Sequence, residues 1–302
     1  MNTIDLFAGA GGFSTGAVMA GCKVLWAANH WPAAVAVHAS NHPTTQHVCQ
    51  DLQQANWLDA PAHDLLLASP ACQGHSRARG KEQGHHDAQR ATAWAVVSAA
   101  ECHRPAAFIV ENVGEFAKWA LYPAWCAAMT ALGYALAPMI LDAADHGVAQ
   151  HRKRLFVVGT RSQHPIELSL PRRPHIGSAQ IIDFASGAWA AIDRKGRAAS
   201  TLARIAAGRQ QHGSRFVTAY YGNETGGRAL SRPLGTITTR DRWAIVDGDR
   251  MRMINVNESR QAMGFPASYQ LPTRQKDAMH MLGNAVVPVV ACDVIKALKV
   301  AA

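Results

Sequence analysis

No Cys-x-x-Cys pair occurs in the chain: Cys22, Cys49, Cys72, Cys102, Cys126 and Cys292 stand far apart. Scattered thiols exclude a disulfide framework and a zinc-cysteine site, so the six are expected to be reduced. The adjacent pair His85-His86 has no ligand partners at metal-binding spacing and reads as solvated loop, so no metal is expected. No apolar run approaches the ~20 residues of a membrane span, and no leader-like segment precedes the first strand, from which a cytoplasmic protein is expected. Internal repeats and low-complexity tracts are also missing. What is present is 302 residues, 48% hydrophobic and 17% charged, enough for one large core or a core with a smaller lobe.

Lysine is scarce where the chain is most basic. Residues 151–250 carry 17 Lys and Arg against 7 Asp and Glu, and only Lys153 and Lys195 of the 17 are lysine. The other 202 residues hold 13 basic against 14 acidic, so the net charge of +9 comes from that one third. A basic segment on a near-neutral body is the footprint of a polyanion partner, because each phosphate contact releases counterions. The guanidinium fork suits phosphates and guanine edges better than an ammonium does.

Short apolar runs at residues 4–7, 24–28, 64–68, 107–111, 134–141 and 154–160 read as strands. Between them, residues 13–20, 32–40, 89–103 and 121–132 have helical character. This βαβα alternation predicts an α/β domain with a mainly parallel sheet covered on both faces. After Gly159 the pattern dissolves into Pro-, Gly- and Arg-rich sequence with short β-like runs at 216–221 and 236–239. Order returns at 257–263 and in the apolar tail 285–300, which reads as a helix docking back on the first domain. Boundaries therefore fall near 162 and 250, giving domains at 1–161, 162–250 and 251–302.

Two places carry chemistry. The nine residues ASPACQGHS (68–76) put Cys72 just past the end of a buried strand, where open α/β sheets gather ligands. A thiol held there by a Pro-containing turn is placed for nucleophilic attack, and a plainer reading competes, since a lone cysteine such as Cys72, taken by itself, is more often inert packing. The second place is the run Ala8-Gly9-Ala10-Gly11-Gly12-Phe13-Ser14 after the first strand, whose glycines let the backbone approach a ligand and start a helix at it. Ser14 stands where a dinucleotide fingerprint wants its third glycine, and Asn29 where it wants an acid, so an NAD site is disfavoured.

Six fragments, in order, resemble the DNA (cytosine-5)-methyltransferase family over nearly the whole chain. DLFAGAGGFSTG (5–16) resembles its S-adenosylmethionine loop, SPACQGHS (69–76) its Pro-Cys-Gln nucleophile turn and ENV (111–113) its catalytic acid motif. QHRKR (150–154) resembles its Gln-x-Arg-x-Arg strand, RMINVNESRQAMGFP (252–266) its penultimate motif and GNAVVP (283–288) its C-terminal cofactor-side motif. Each fragment is weak alone; the order, with a basic variable region between the fourth and fifth, makes the match specific. The resemblance implies a Rossmann-like methyltransferase sheet with helices on both faces plus a small irregular, β-rich target-recognition domain at 162–250.

It also implies roles. Cys72 would attack C6 of cytosine, Glu111 would hydrogen-bond N3 and the exocyclic amine, and Arg152 and Arg154, alternating along one strand, would stabilise the thiolate and O2. To donate to N3, Glu111 must be protonated, which requires a raised pKa in a dry site. Asn112 would brace the nucleophile turn. Phe7, Gly9, Gly11 and Gly12 would face the methionine part of S-adenosylmethionine, Asp51 and Leu52 the adenine, Pro70 the methyl region, and Asn284 and Ala285 would support the site. The loop 73–89 would close over a base flipped from duplex DNA, with Gln73, Ser76, Arg77 and Arg79, and further on Arg240 and Arg242, as DNA contacts. Asn29 replaces the family's ribose-binding acid and offers one carbonyl acceptor; His30 or Trp31 would cover the adenine. Ala71 and His75 replace a proline and a phenylalanine. The resemblance implies a monomer that works alone or beside a cognate restriction endonuclease. Two alternatives stay open, a transfer-RNA methyltransferase and a catalytically silent DNA-binding relative; Gln73 after the cysteine follows the DNA pattern.

Overall fold

The computed structural model describes residues 1–71, 90–220 and 225–301. The described chain divides into two compact units, one of residues 1–142, 153–171 and 285–302, the other of residues 143–152 and 172–284.

The first unit is built on a seven-stranded sheet. Its strands are β1 (Asn2–Leu6), β2 (Lys23–Asn29), β3 (Gln46–Cys49), β4 (Leu65–Ala68), β5 (Ala107–Asn112), β6 (Ala135–Asp142) and β7 (Lys153–Thr160), in the order β3-β2-β1-β4-β5-β7-β6. Strands β1 to β5 run parallel, and β7 lies antiparallel to both β5 and β6. Leu65–Ala68 and Ala107–Asn112 are buried along their whole length, as the central strands of a sheet covered on two faces must be. The helices are α1 (Gly12–Met19), α2 (Pro32–Asn41), α3 (Ala93–His103), α4 (Tyr122–Ala131) and, from the end of the chain, Pro288–Ala301, which becomes α8 below. Proline in the first turns of α2 and α4 supplies a fixed φ where no amide partner is needed.

Gly159 and Gly16 are required by close approach. A Cβ on Gly159 would collide with the ring of Phe108, its partner across β5 and β7, and that ring packs edge-on to Trp125 and Tyr134 in the core. A Cβ on Gly16 would lie 2.5 Å from the Cβ of Ala291 and 2.6 Å from the carbonyl oxygen of Pro288, so α1 and α8 cross almost backbone to backbone. The tail does dock on the first domain. Its buried Val290, Val294, Ile295 and Leu298 each contribute about 1.5–3 kcal/mol of apolar burial.

The second unit holds a four-stranded antiparallel sheet of β8 (Ala190–Ala191), β9 (Arg215–Ala219), β10 (Trp243–Asp247) and β11 (Arg250–Met253), in the order β8-β11-β10-β9. Helix α5 (Ala199–His212) packs on β9, and α6 (Val256–Ala262) and α7 (Gln275–Asn284) complete the unit. Gly248, at φ +59, closes the two-residue loop between β10 and β11.

Several expectations change. The run 236–239 is not a strand: its β-branched residues lack a ladder partner, and side chains take up its backbone groups instead. Helix α5 and strand β3 were not expected. The second unit takes in residues 143–152 and 172–284, and the segment 252–263 is tied within it. Arg252 forms a buried ion pair with Glu258 at 2.6 Å, and Glu258 also accepts from the amide of Asp183 at 2.9 Å. Residues 275–301 are long and apolar enough for a membrane span, against expectation, but 78% of the apolar window is buried and the helix is broken at 285–287.

Candidate active site

The carboxyl ends of β2, β1, β4 and β5 lie side by side, and the chain reverses its strand order around β1 and β4. A crevice at such a switch point is where open α/β sheets bind ligands. Four of the sequence-derived segments end there: Phe7 to Gly12 after β1, Asn29 to Trp31 after β2, Pro70 and Ala71 after β4, and Glu111 and Asn112 on β5.

Phe7 is in the left-handed region at φ +59, an uncommon conformation for a bulky residue and a mark of local constraint. Gly9 and Gly11 follow at φ +53 and +83, so every second residue leading into α1 is in the left-handed region. A Cβ on Gly9 would meet nothing nearer than the carbonyl oxygen of Phe7 at 3.8 Å, which leaves a backbone cradle that a side chain would fill. A Cβ on Gly12, in contrast, would collide with the backbone of Val286, one residue beyond Ala285, so this glycine serves packing. Ala285 is itself buried; Asn284 is exposed and closes α7 in the second unit.

The Asn29 carbonyl oxygen accepts from the amide of Trp31 at 2.9 Å, which shapes the turn after β2 and occupies one of its two lone pairs. His30 is exposed and Trp31 half-buried. Asp51 is exposed and caps a short turn by accepting from the amide of Gln53 at 3.0 Å, while Leu52 is buried behind it.

The turn leaving β4 is held from three sides. Ser69 donates to the carbonyl of Phe7 at 3.1 Å, Asn112 donates to the carbonyl of Pro70 at 3.2 Å, and the amide of Ala71 donates to Thr92 at 3.1 Å. Asn112 thus braces the turn two residues before Cys72, as expected; the sequence assigns no role to the Ser69 hydroxyl within its motif and does not single out Thr92, because an isolated hydroxyl gives no periodic signal. Cys72, Gln73, Ser76, Arg77 and Arg79, with the rest of 73–89, lie outside the described residues. Glu111, 6% exposed, faces Arg154 on β7 with Nε to Oε1 at 3.4 Å.

Arg152 immediately precedes β7, and its backbone carbonyl continues the ladder by accepting from the amide of Ala143 at 3.1 Å. β7 begins at Lys153, and the Arg152 guanidinium, 3% exposed, donates to the carbonyls of Ile237 and Gly283, each at 3.0 Å. Gln150 does the complementary work: its carbonyl accepts from the amide of Ile237 at 2.9 Å and its amide donates to the carbonyl of Ala262 at 2.7 Å. Both backbone groups of Ile237 are therefore satisfied by the Gln-x-Arg side chains, which fix the segment that leads to the exposed Arg240 and to Arg242. Several other arginines of the basic region are already paired: Arg215 and Arg250 share Asp247, each at 2.6 Å, and Arg209 meets Asp249 at 2.8 Å. Among the described residues, no group of three His, Cys, Asp or Glu could hold a metal ion.

The family model described as C-5 cytosine-specific DNA methylase matches residues 1–300. The Type II methyltransferase M.HgiDI of Herpetosiphon aurantiacus is 28% identical over 291 residues, covering 95% of this chain and 90% of that protein. The Type II methyltransferase M.NlaX of Neisseria lactamica is 28% identical over 300 residues, covering 95% and 93%. Among solved structures, a prophage-encoded E. coli protein described as a DNA modification methyltransferase superposes with a TM-score of 0.74 at 19% identity, covering 100% of this chain and 99% of the other. A Spodoptera frugiperda DNMT2 variant gives 0.71 at 18% identity, covering 99% of each. These two share the Rossmann-like fold.

Proposed function

Because the chain belongs to the C-5 cytosine-specific DNA methylase family and is a DNA cytosine-5 methyltransferase, we propose that it methylates cytosine within a specific duplex sequence through a covalent bond between Cys72 and C6 of a flipped base. The observation that carries this reading is the clustering, at the carboxyl ends of β4 and β5, of the braced turn before Cys72 with the buried pair Glu111 and Arg154.

Carbon 5 of cytosine is too weak a nucleophile to take a methyl group unaided. Addition of the Cys72 thiolate to C6 pushes the C5–C6 electron pair onto C5, and a base later removes the C5 proton so that the thiolate is expelled. An ordinary thiol near pKa 8.5 is only a few per cent ionised at neutral pH, so a cation at the turn favours attack. Arg154 is that cation in this reading, and it also serves the O2 of the base as negative charge develops. Movement of the guanidinium from Glu111 to O2 would leave a buried carboxyl without its cation, which favours the protonated form that donates to N3. Arg152, besides its part at the thiolate in this reading, holds the segment at Ile237 through two carbonyls.

S-adenosylmethionine, when bound, supplies an electrophilic methyl group. The cradle at Gly9 fits a ligand approached by backbone, with Phe7, Gly9 and Gly11 along it, Asn29, His30 and Trp31 beside the ribose and adenine, and Asp51, Leu52 and Pro70 at the remaining edges. Gly12, Asn284 and Ala285 would support the site without touching the ligand. Gln73, Ser76, Arg77, Arg79, Arg240 and Arg242 are the proposed contacts to duplex DNA. The Type II relatives favour a cognate restriction endonuclease as a partner in the cytoplasm, and the chemistry needs only a monomer.

Incubation with labelled S-adenosylmethionine and a duplex carrying 5-fluorocytosine tests the reading, since fluorine blocks the last elimination. A denaturation-resistant adduct mapped to Cys72, and lost in Cys72→Ser, is expected. An adduct formed with transfer RNA in preference to duplex DNA would move the substrate to RNA, and duplex binding with neither adduct nor methylation would identify a silent relative.

A further inference from the structure

The glycine loop is not held by its own helix cap. Gly11, the N-cap of α1, has no side chain, and the third amide of the helix, that of Ser14, donates instead to the carboxylate of Asp5 on β1 at 3.0 Å. The Ser14 hydroxyl donates to the same oxygen at 2.7 Å, so its own oxygen receives the Nε2–H of His38, 2.9 Å away. His38 is then left with Nδ1 as an acceptor, and His47 Nε2–H lies 2.8 Å from it. Every donor in the row His47, His38, Ser14, Asp5 points toward the carboxylate.

One residue further on, the Thr15 hydroxyl donates to the carbonyl of Gly11 at 2.7 Å, inside the loop itself. His42 Nε2 lies 3.2 Å from that hydroxyl and takes the part for Thr15 that His38 takes for Ser14. His38 and His42 stand four residues apart, on and just past the end of α2, with ring centroids 4.6 Å apart. Burial and the neighbouring imidazoles hold His38 down to about 2 and His42 to about 4, so both stay neutral and keep these directed bonds. Two buried imidazoles and a buried carboxylate cost more to desolvate than apolar side chains of the same volume would. Such a network is explained by what it orients.

We infer that His38 and His42 are positioning residues for the cofactor loop: acting through Ser14 and Thr15, they fix the first turn of α1 and with it the backbone of Gly9 to Gly12. The inference rests on the cofactor reading of that loop given above. Calorimetry with S-adenosylhomocysteine on the full chain tests it. His38→Leu and His42→Leu raise its dissociation constant about tenfold, the loss of one or two hydrogen bonds' worth of positioning, while duplex affinity is unchanged. In turnover the effect falls on the KM for S-adenosylmethionine rather than on kcat. His38→Gln, which keeps a donor within reach of Ser14, recovers most of the affinity. Ser14→Ala, which deletes a single hydroxyl, gives the same shift if the histidine variants do not fold. Nitrogen-15 spectra of the wild type show His38 as the neutral Nε2–H tautomer from pH 5 to 9. Unchanged cofactor affinity in folded variants, with only a lower urea midpoint, overturns the positioning role and leaves the cofactor reading standing. A wild-type chain that binds no S-adenosylhomocysteine overturns both, whatever the tautomer.

Discussion

Glu111 and Arg154 are two residues whose charges cancel at 3.4 Å, and whose separation is what the proposed chemistry requires. Replacing Glu111 with Gln keeps the size and one donor but removes a group that can switch between accepting and donating. Single-turnover methylation should fall about 10²–10³-fold, with duplex affinity retained; equal loss of both would mean the side chain merely shapes the site. Gln150 offers a second residue-scale prediction. Gln150→Leu strands the Ile237 amide and the Ala262 carbonyl in a dry interior, and the urea midpoint should drop by the equivalent of about 3 kcal/mol. At this scale the sequence was legible for Asn112, whose brace on the turn after β4 is present. It was opaque for the hydrogen bonds of Ser69 and Thr92, whose partners lie far along the chain, and for the two carbonyls that take up the Arg152 guanidinium. The backbone carbonyl of Arg152 continues the ladder by accepting from the amide of Ala143 at 3.1 Å, while its guanidinium is taken up by the carbonyls of Ile237 and Gly283.

Among the elements, α1 and α8 show how little a pattern of apolar residues says about contact distance. Both were expected as helices, yet their crossing depends on Gly16, whose missing side chain lets Ala291 and Pro288 approach. Gly16→Val should cost about 1–3 kcal/mol by overpacking and should weaken S-adenosylhomocysteine binding as well, because the same crossing places the loop ahead of α1. Urea unfolding with and without the ligand separates the two effects. The second unit was read poorly for a different reason. Helix α5 contains Gly208 pressed against the Phe216 ring and two arginines, so its composition resembles a loop until the packing partner is known. The run 236–239 looked like a strand by composition, but its hydrogen bonds go to Gln150 and Arg152.

On the scale of the whole molecule, charge and pH carry the tests. The excess of arginine predicts duplex affinity that falls with salt at a slope near −0.9 per neutralised phosphate, and a slope near zero would remove the polyanion reading. Since Arg209, Arg215, Arg250 and Arg252 are ion-paired within the protein, the slope should reflect far fewer contacts than the arginine count suggests. For pH, the buried histidines and Asp5 act oppositely. Depressed histidine values mean stability that is present above pH 6.5 and lost as pH falls toward the folded values of about 4 for His42 and 2 for His38. Asp5, raised by burial to about 7 despite its bonds to Ser14, contributes stability below its ordinary 3.8 that is lost as pH rises to 7. With two strongly shifted histidines against one carboxylate, the urea midpoint should decline as pH falls from 6.5 to 4, and His38→Leu should flatten that decline.

Gly12 and Gly16, near the start of the chain, are packed against Val286, Pro288 and Ala291 near its end. Synthesis therefore imposes an order. A polypeptide still growing has made its glycine loop some 270 residues before the helix that backs it, and the loop must wait, without that wall, until the ribosome has released the segment that closes behind it.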